Sequence, residues 1–391
     1  MARSPLSQAA ERYYVEPMIW DIVIFLLQAA FVFVVSTALF DALHWTLHQW
    51  ESSSIPLLRK FSSWHWVHHK FLGLDMQINP AYARANIWFH IMPEYLASMA
   101  GTLIFLLVFP WPVIAAVSAI RAVMLVMTLR EEGLDYNHMS MDRVGGQQGL
   151  LWVGNNYHAM HHVYPHNFFS SFANVFDLIF GTTCQIEGRR FLVTGASGAF
   201  GSAMVEKLTK LGGIVETAKS GVDFTGGNYA AMQEKLQRAD VVILAHGAKS
   251  EDCWNANNVT FRDLTELFTE IGKTRLAPPE VWALGSEVEF HGDMGIAELK
   301  AYSASKRAFA LRARDYYRSD ALIYRHIVPS SFTSSMGKGA MSAETAVNMA
   351  LFLIRRGFRY VPVTFTGLAV LNYFRFRFFQ KDEADVSQPA E

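Results

Sequence analysis

The chain has 391 residues, 51% hydrophobic and 14% aromatic, with only 18% charged and a formal net charge of -1. Charge this sparse, against about 25% in an ordinary soluble protein, excludes intrinsic disorder and points to membrane segments. The near-zero net charge gives no electrostatic case for nucleic-acid binding, and two cysteines, Cys184 and Cys253, make neither a disulfide framework nor a four-thiolate iron–sulfur cluster.

Met18 to Phe40 is almost unbroken apolar sequence, interrupted mainly by Asp21 and Gln28. At about 1.5 Å per residue it crosses a hydrocarbon core of about 30 Å as one helix. It is too long for a cleaved signal peptide and has no small-residue cleavage site behind it. Leu96 to Leu129 is longer, with Pro110 and Pro112 at its middle, and reads as a tight hairpin of two spans. Arg121 in its second half must face protein or snorkel. One crossing followed by a hairpin leaves every histidine cluster on one face. Arg59, Lys60 and Lys70, between the first span and the hairpin, assign that face to the cytoplasm. Residues 145–153 are too short and glycine-rich to span and read as interfacial.

Eleven of the 14 histidines precede residue 187, on the same side as the apolar runs. Charge hardly distinguishes the halves: 9 Lys/Arg against 12 Asp/Glu up to residue 186, and 25 against 23 after it. Three clusters stand out: His44 and His48 (HxxxH), His65, His68 and His69 (HxxHH), and His158, His161 and His162 (HxxHH). Positions i, i+3 and i+4 share a helix face, so each cluster presents imidazoles to a common point. Imidazole suits iron and zinc, and eight such groups can share two metal ions while leaving positions open for oxygen or substrate. Histidines also gather at membrane interfaces without ligating anything; three clusters on one face favour the metal. His138, after Asp135 and Tyr136, is either an extra ligand or a supporting group, whereas His90 and His166 read as structural.

Here the sequence resembles the fatty acid hydroxylase/sterol desaturase superfamily of membrane di-iron enzymes. The order HxxxH, HxxHH, HxxHH matches its histidine boxes. Tyr164–Pro165–His166–Asn167–Phe168 and Asp177–Leu178–Ile179–Phe180–Gly181–Thr182 resemble the segment after its third box. The likeness covers roughly residues 18–184. It implies a fold of transmembrane helices, two iron ions and O2-dependent hydroxylation or desaturation of a lipid C–H bond. Such proteins typically cross the membrane four times, and the count of three departs from that.

After Gly188 short β-rich runs alternate with amphipathic helical patterns. Phe191–Thr194, Gly213–Thr217, Val241–Ala245, Val281–Leu284 and Leu322–Val328 read as strands of a parallel sheet. The loop Gly195–Ala196–Ser197–Gly198–Ala199–Phe200–Gly201 links the first strand to a helix. Its glycines let the backbone approach a pyrophosphate at the helix N-terminus. Gly247 follows a strand exit that would pass the cofactor. Tyr302 and Lys306, one helical turn apart, form YxxxK. A nearby ammonium would lower the tyrosine pKa and make Tyr302 an acid/base for alcohol–carbonyl interconversion.

This half, roughly 189–363, resembles the short-chain dehydrogenase/reductase family. The resemblance implies a doubly wound Rossmann fold, Ser286 as the substrate-orienting serine, Asn258 as the active-site asparagine, and Pro329 and Thr333 in the region closing over nicotinamide. Two features depart from the pattern: the segment between the second and fourth strands is short, with one helix missing, and Ser286 and Tyr302 are 16 positions apart. Asp223 marks a shortened third strand and an adenine contact. Lys219, just past the second strand, is either a partner for a 2′-phosphate, favouring NADP over NAD, or a solvated surface lysine.

The expected organisation is a membrane histidine-box domain over 1–186, a Rossmann domain over 187–364, and an interfacial segment or buried helix from 365 followed by a disordered polar tail, Lys381–Glu391. The expected protein is a multi-pass membrane lipid oxidoreductase with both sites on the cytoplasmic face. It hydroxylates or desaturates a lipid with O2 and then interconverts alcohol and carbonyl. Nicotinamide delivers hydride, and oxygen activation at iron draws single electrons, so an external donor of ferredoxin or cytochrome type is implied. Two alternatives stand: a hydroxylase with a silent nucleotide-sensing or partner-docking Rossmann domain, and a membrane metal transporter or sensor. The transporter requires ionisable residues along the spans, and few are present.

Overall fold

The computed structural model describes residues 5–249 and 252–379; the tail expected at Lys381–Glu391 lies outside the described residues. The chain forms two compact units, Met1–Ser140 with Leu151–Phe176, and Met141–Leu150 with Asp177–Glu391.

The first unit is helical: α1 (Pro5–Gln49), α2 (Pro56–Phe71), α3 (Met92–Ile104), α4 (Trp111–Arg130) and α5 (Asn155–Val163). Among the described residues, three stretches are long and apolar enough to cross a membrane: Met18–Ser52, Pro80–Leu107 and Trp111–Arg130, of 35, 28 and 20 residues. Such helices are compatible with a membrane protein. Pro110 caps α4 and Pro112 lies in its first turn, where a missing N–H costs nothing, so the expected hairpin forms there. Its first arm begins well before Leu96, because Arg84, Asn86, His90 and Glu94 dilute the apolar signal of a helical run. Arg121 faces protein. Its guanidinium donates to the hydroxyls of Ser36 (2.7 Å), Thr37 (3.1 Å) and Thr102 (3.0 Å) and to the Phe33 carbonyl (3.2 Å). An arginine in a span is tolerated when its donors are satisfied inside the helix cluster.

The second unit is a six-stranded, wholly parallel sheet. In chain order it comprises β1 (Arg190–Thr194), α6 (Ala199–Lys210), β2 (Ile214–Ala218), α7 (Ala230–Arg238), β3 (Val241–Leu244), α8 (Thr260–Ile271), β4 (Glu280–Leu284), α9 (Ala297–Arg318), β5 (Ile323–Pro329), α10 (Ala343–Ile354), β6 (Tyr360–Val363) and α11 (Leu368–Phe374). The spatial order is β2-β1-β3-β4-β5-β6. The order reverses between β1 and β3, paired from Phe191↔Val241 to Thr194↔Leu244, so a crevice opens beyond the carboxyl ends of these two strands. Helices on both faces bury the central strands, which explains their continuous apolar runs.

Three expectations change here. No third strand follows β2: Ser220 and Phe224 make only an isolated bridge, and Asp223 accepts from the Lys219 N–H (2.7 Å) and pairs with Lys235 (3.1 Å), closing a tight turn. The sequence reading also omits β6; its YVPV run is short and contains Pro362, tolerable because β6 is an edge strand. Of the stretch 145–153, expected to be interfacial, residues 145–148 pack within the second unit. Gly146 donates to the Asp320 carbonyl (2.9 Å), and a Cβ there would lie 2.1 Å from the Leu322 oxygen. Upstream of β1, Cys184 and Ile186 already belong to this unit's core.

At the start of β4, Glu280 is buried between Arg189 (2.7 Å) and Arg325 of β5 (2.5 Å). Burial alone would raise its pKa, but the two guanidinia and hydrogen bonds from Arg325 and Trp282 outweigh it and hold it at about 2. A carboxylate lowered from 4.5 in this way contributes stability that is present above its ordinary pKa and is lost as pH falls towards 2. Glu280→Gln leaves buried guanidinia without a counter-charge and is expected to destabilise the protein by about 3–5 kcal/mol. Thermal unfolding of the full chain in detergent would register this near neutral pH, with the difference from wild type shrinking in acid.

Candidate functional site

The helices of the first unit bring the eight box histidines together and sort them into two groups. His44, His48, His65, His69 and His161 form one; His68, His158, His162 and the loop residue His138 form the other. Within each group one nitrogen per ring lies within 4.8 Å of all the others. The rings are held from outside: His161 Nδ1 meets the Asn167 carbonyl (2.8 Å), His162 Nδ1 the Leu72 carbonyl (3.0 Å), His68 Nδ1 the Asn86 Oδ1 (3.2 Å) and His138 Nδ1 the Asp135 carboxylate (2.7 Å). That leaves Nε2 of His68, His138, His161 and His162 buried with no hydrogen-bond partner among the described residues, and His44 Nε2 likewise. A buried nitrogen without a partner is costly, and lone pairs converging from four or five rings are the donor set a transition metal requires. The residues therefore fit two metal ions.

Burial, reinforced by neighbouring imidazoles, lowers the pKa of His65, His68, His69, His158 and His162 well below the ordinary histidine range, and His161 falls to about 4. Neutral rings are the ligating form. His138 differs: burial lowers it, but Asp135 outweighs burial and raises it overall. His90 stacks on His68 at 3.8 Å, and His166 is exposed beside Glu51; neither joins a group. A cavity of about 90 Å³ between the spans reaches His68 and His138 past Tyr95, Glu94 and Met124.

In the second unit a cavity of about 460 Å³ opens at the switch point, and Gly198, Gly247, Asn257, Ser286, Tyr302 and Lys306 are among its lining residues. Gly195 takes φ +69°, and a Cβ there would meet the His246 nitrogen at 2.4 Å; one at Gly201 would meet the Gly195 oxygen at 2.2 Å. The glycines thus let the loop turn tightly and deliver the N-terminus of α6 to the cavity, a cradle suited to a pyrophosphate. Ser197 is exposed on this loop. Lys219 is exposed just past β2 and Asp223 is held in its own turn. If Lys219 meets a 2′-phosphate, Lys219→Asp will weaken NADP far more than NAD in a fluorescence titration; equal losses would remove it from cofactor selection.

Two catalytic expectations need correction. Asn257, not Asn258, lines the cavity: its side chain accepts from the Ala248 N–H (3.2 Å) and donates to the Ala248 carbonyl (2.7 Å) and to Ser305 Oγ (3.1 Å). Neighbouring helical residues point about 100° apart, so a one-residue offset moves the amide out of the site. Nor is the Tyr302 phenol depressed. Burial pushes it up to about 12, partly offset by a hydrogen bond with Ser286 and reinforced by the Glu289 charge. Lys306 Nζ donates instead to the Leu284 carbonyl (2.7 Å), and burial lowers its pKa to about 8.

A parallel sheet reversing between β1 and β3, a glycine loop at that point, and Ser286, Tyr302 and Lys306 in one cavity decide the second half. The chain joins a helical unit carrying two histidine groups to a doubly wound parallel α/β unit of Rossmann type. No family model matches it. It is 25% identical over 394 residues to the monoglucosyldiacylglycerol epimerase of Synechocystis sp., covering 87% of this chain and 93% of that protein. Among solved structures it is similar to a short-chain dehydrogenase from Burkholderia cenocepacia in complex with NADP (17% identity, TM-score 0.40, 48% of this chain and 94% of that one). Another is a short-chain dehydrogenase from Sphingobium yanoikuyae with NADPH (15%, 0.39, 48% and 92%). A third, from Burkholderia phymatum, is in complex with NAD (13%, 0.39, 52% and 99%).

Sequence reasoning missed several residues around these sites. Lys249 lies 5.7 Å from the centre of the Tyr302 ring. Glu289, buried, accepts from the Ser286 N–H (2.9 Å) and meets His326 Nε2 (2.9 Å). Asn86 braces His68. Among these, only Glu289 carried a local hint, three residues beyond the serine.

Proposed function

We propose that the protein is a membrane lipid oxidoreductase whose second unit interconverts a secondary alcohol and a carbonyl on a lipid. The observation that carries this is the convergence of Ser286, Tyr302, Lys306 and the glycine loop on one cavity. A bound NADP or NAD would supply or accept the hydride at the substrate carbon. Ser286 Oγ, hydrogen-bonded to Tyr302, is positioned to orient the substrate oxygen. The Tyr302 phenol holds or takes the proton at that oxygen. Lys306 provides the cationic charge that favours phenolate once it leaves the Leu284 carbonyl.

In the first unit the eight box histidines and His138 would hold two metal ions; iron there supplies O2-dependent oxidation of an unreactive lipid C–H bond, with single electrons from an external ferredoxin or cytochrome. The two units then act in sequence, hydroxylation preceding oxidation of the new alcohol. A second reading is favoured by the epimerase likeness, which spans both units: the alcohol is oxidised and the same carbon re-reduced from its other face, inverting one hydroxyl of a lipid-borne sugar with no net redox change.

One experiment separates the readings. The full chain in lipid nanodiscs is supplied with O2, a reduced ferredoxin, NADP or NAD, and a glycosyldiacylglycerol deuterated at the carbinol carbon. Epimerisation returns the deuterium to the product and leaves the cofactor redox state unchanged. Sequential action accumulates reduced cofactor and consumes O2. Absence of any cofactor-dependent change across a panel of membrane lipids would leave the nucleotide-sensing reading.

A further inference from the structure

The segment from Phe365 to Phe379 is apolar on both of its faces. Ala369, Asn372 and Phe376 are buried in the second unit, with Phe376 5.3 Å from the Tyr360 ring. Val370, Leu371, Phe374 and Phe378, spaced i, i+1, i+4 and i+8, lie opposite and are 45–62% exposed. On an ordinary surface helix that second face is polar. Arg375 and Arg377 sit half-buried among these aromatics, the mixture typical of helices lying in a headgroup layer.

This face is continuous with the mouth of the nucleotide cavity. Leu368, the first residue of α11, lines that cavity, as do Phe365, Met294 and Met336, whose side chains are exposed by 56%, 72% and 44%. The deep end, at Ser286, Tyr302 and Lys306, is polar. Polar depth behind an apolar rim suits a substrate whose reacting end is hydroxylic and whose remainder stays in lipid.

We propose that the exposed face of α11 and the rim at Phe365, Met294 and Met336 form a bilayer-docking surface through which lipid headgroups enter the cavity. The proposal rests on the reading of the second unit as a lipid alcohol oxidoreductase. The occupant is a bilayer because the same chain carries three helices able to cross one, which keeps lipid at high effective concentration around everything tethered to them. Arg377 complements anionic headgroups, while Arg375 ties the segment to the Glu289 and Phe290 carbonyls (3.4 and 3.3 Å).

The test uses the full chain in nanodiscs of equal parts phosphatidylcholine and phosphatidylglycerol. Leu371→Cys carries a bimane label, and Glu234→Cys on α7, 79% exposed, is the control; the native Cys184 and Cys253 are buried. With acyl-chain-brominated phosphatidylcholine, the label at 371 is expected to lose most of its emission and the control little. Equal quenching at both sites overturns the proposal. So does a label shielded from solvent but not quenched, or disulfide-linked dimers of the unlabelled Leu371→Cys protein under mild oxidation, which would make a protein partner or a second copy the occupant. Leu371→Asp with Phe374→Asp should then slow turnover of bilayer-embedded lipid severalfold while dinucleotide binding, the check on folding, stays intact; unchanged turnover also overturns it. Quenching is read without turnover, so docking with no reaction on any lipid would discard the reaction and keep the surface.

Discussion

Tyr302→Phe is expected to lower nicotinamide-dependent turnover by roughly 10²–10⁴-fold, the usual contribution of a positioned proton donor or acceptor, and to leave dinucleotide binding intact. The substitution removes one oxygen and keeps the ring, so the cavity keeps its shape and Ser286 loses only its hydrogen-bond partner. Stopped-flow hydride transfer under single-turnover conditions checks the step directly. Burial holds the phenol near 12, far above a working pH. Catalysis therefore needs a cationic charge to move towards it, and Lys306, whose pKa burial lowers to about 8, is the group that can supply it. Its charge is lost as pH rises through that value, so the wild-type rate gains less from alkali than an isolated phenol would. In cells the lipid profile carries the second readout. If the units act in sequence, a hydroxylated lipid accumulates in Tyr302→Phe and the carbonyl product disappears. If the second unit epimerises, the uninverted glycolipid accumulates instead. A profile matching wild type, where His161→Ala changes it, would assign the nucleotide unit to sensing or docking.

What was legible in the sequence follows from what local spacing encodes. The histidine clusters were readable because i, i+3 and i+4 fix a shared face. Their sorting was not: His68 and His69 adjoin in sequence but enter different groups, as do His161 and His162, because a step of one residue rotates the side chain by about 100°. The partner of each ring is decided by helices far away in the chain, and spacing within one helix is silent on it. The same geometry separates Asn257 from Asn258. Strands β1 to β5 were legible as apolar runs between helical patterns. Strand β6 was hidden by its brevity and Pro362, and the absent third strand showed only as a shortened connection. The backbone carbonyls of Leu72 and Asn167, which orient His162 and His161, leave no mark in composition at all. His138 was half legible: Asp135 three residues before it was the hint, and the carboxylate does hold its Nδ1.

That sorting sets the largest expected effect in the first unit, namely that His161→Ala and Asp135→Asn strip different metal ions. His161 belongs with His44, His48, His65 and His69, and its Nδ1 is anchored on the Asn167 carbonyl, leaving Nε2 to ligate. Removing it takes one donor from that group and none from the other. Asp135 donates nothing to a metal in this arrangement. It fixes the His138 ring through Nδ1 and accepts from the Asn137 and His138 N–H groups at 2.8 and 3.1 Å. Asn at 135 keeps the turn but lacks the charge, so His138 Nε2 becomes a poorer and less well-aimed ligand. Loss of such a supporting carboxylate typically weakens metal affinity by about 10–100-fold. Elemental analysis of protein equilibrated with free iron buffered just high enough to fill both wild-type sites should therefore find roughly half the wild-type metal in each variant, and almost none in the double variant, because each substitution empties one group. NADP binding, measured on the same samples, should be unchanged in all three, which separates a lost ligand from a lost fold. Full occupancy in His161→Ala would remove His161 from the ligand set. Complete loss in either single variant would mean that the two groups fill as one cooperative centre and not as two sites.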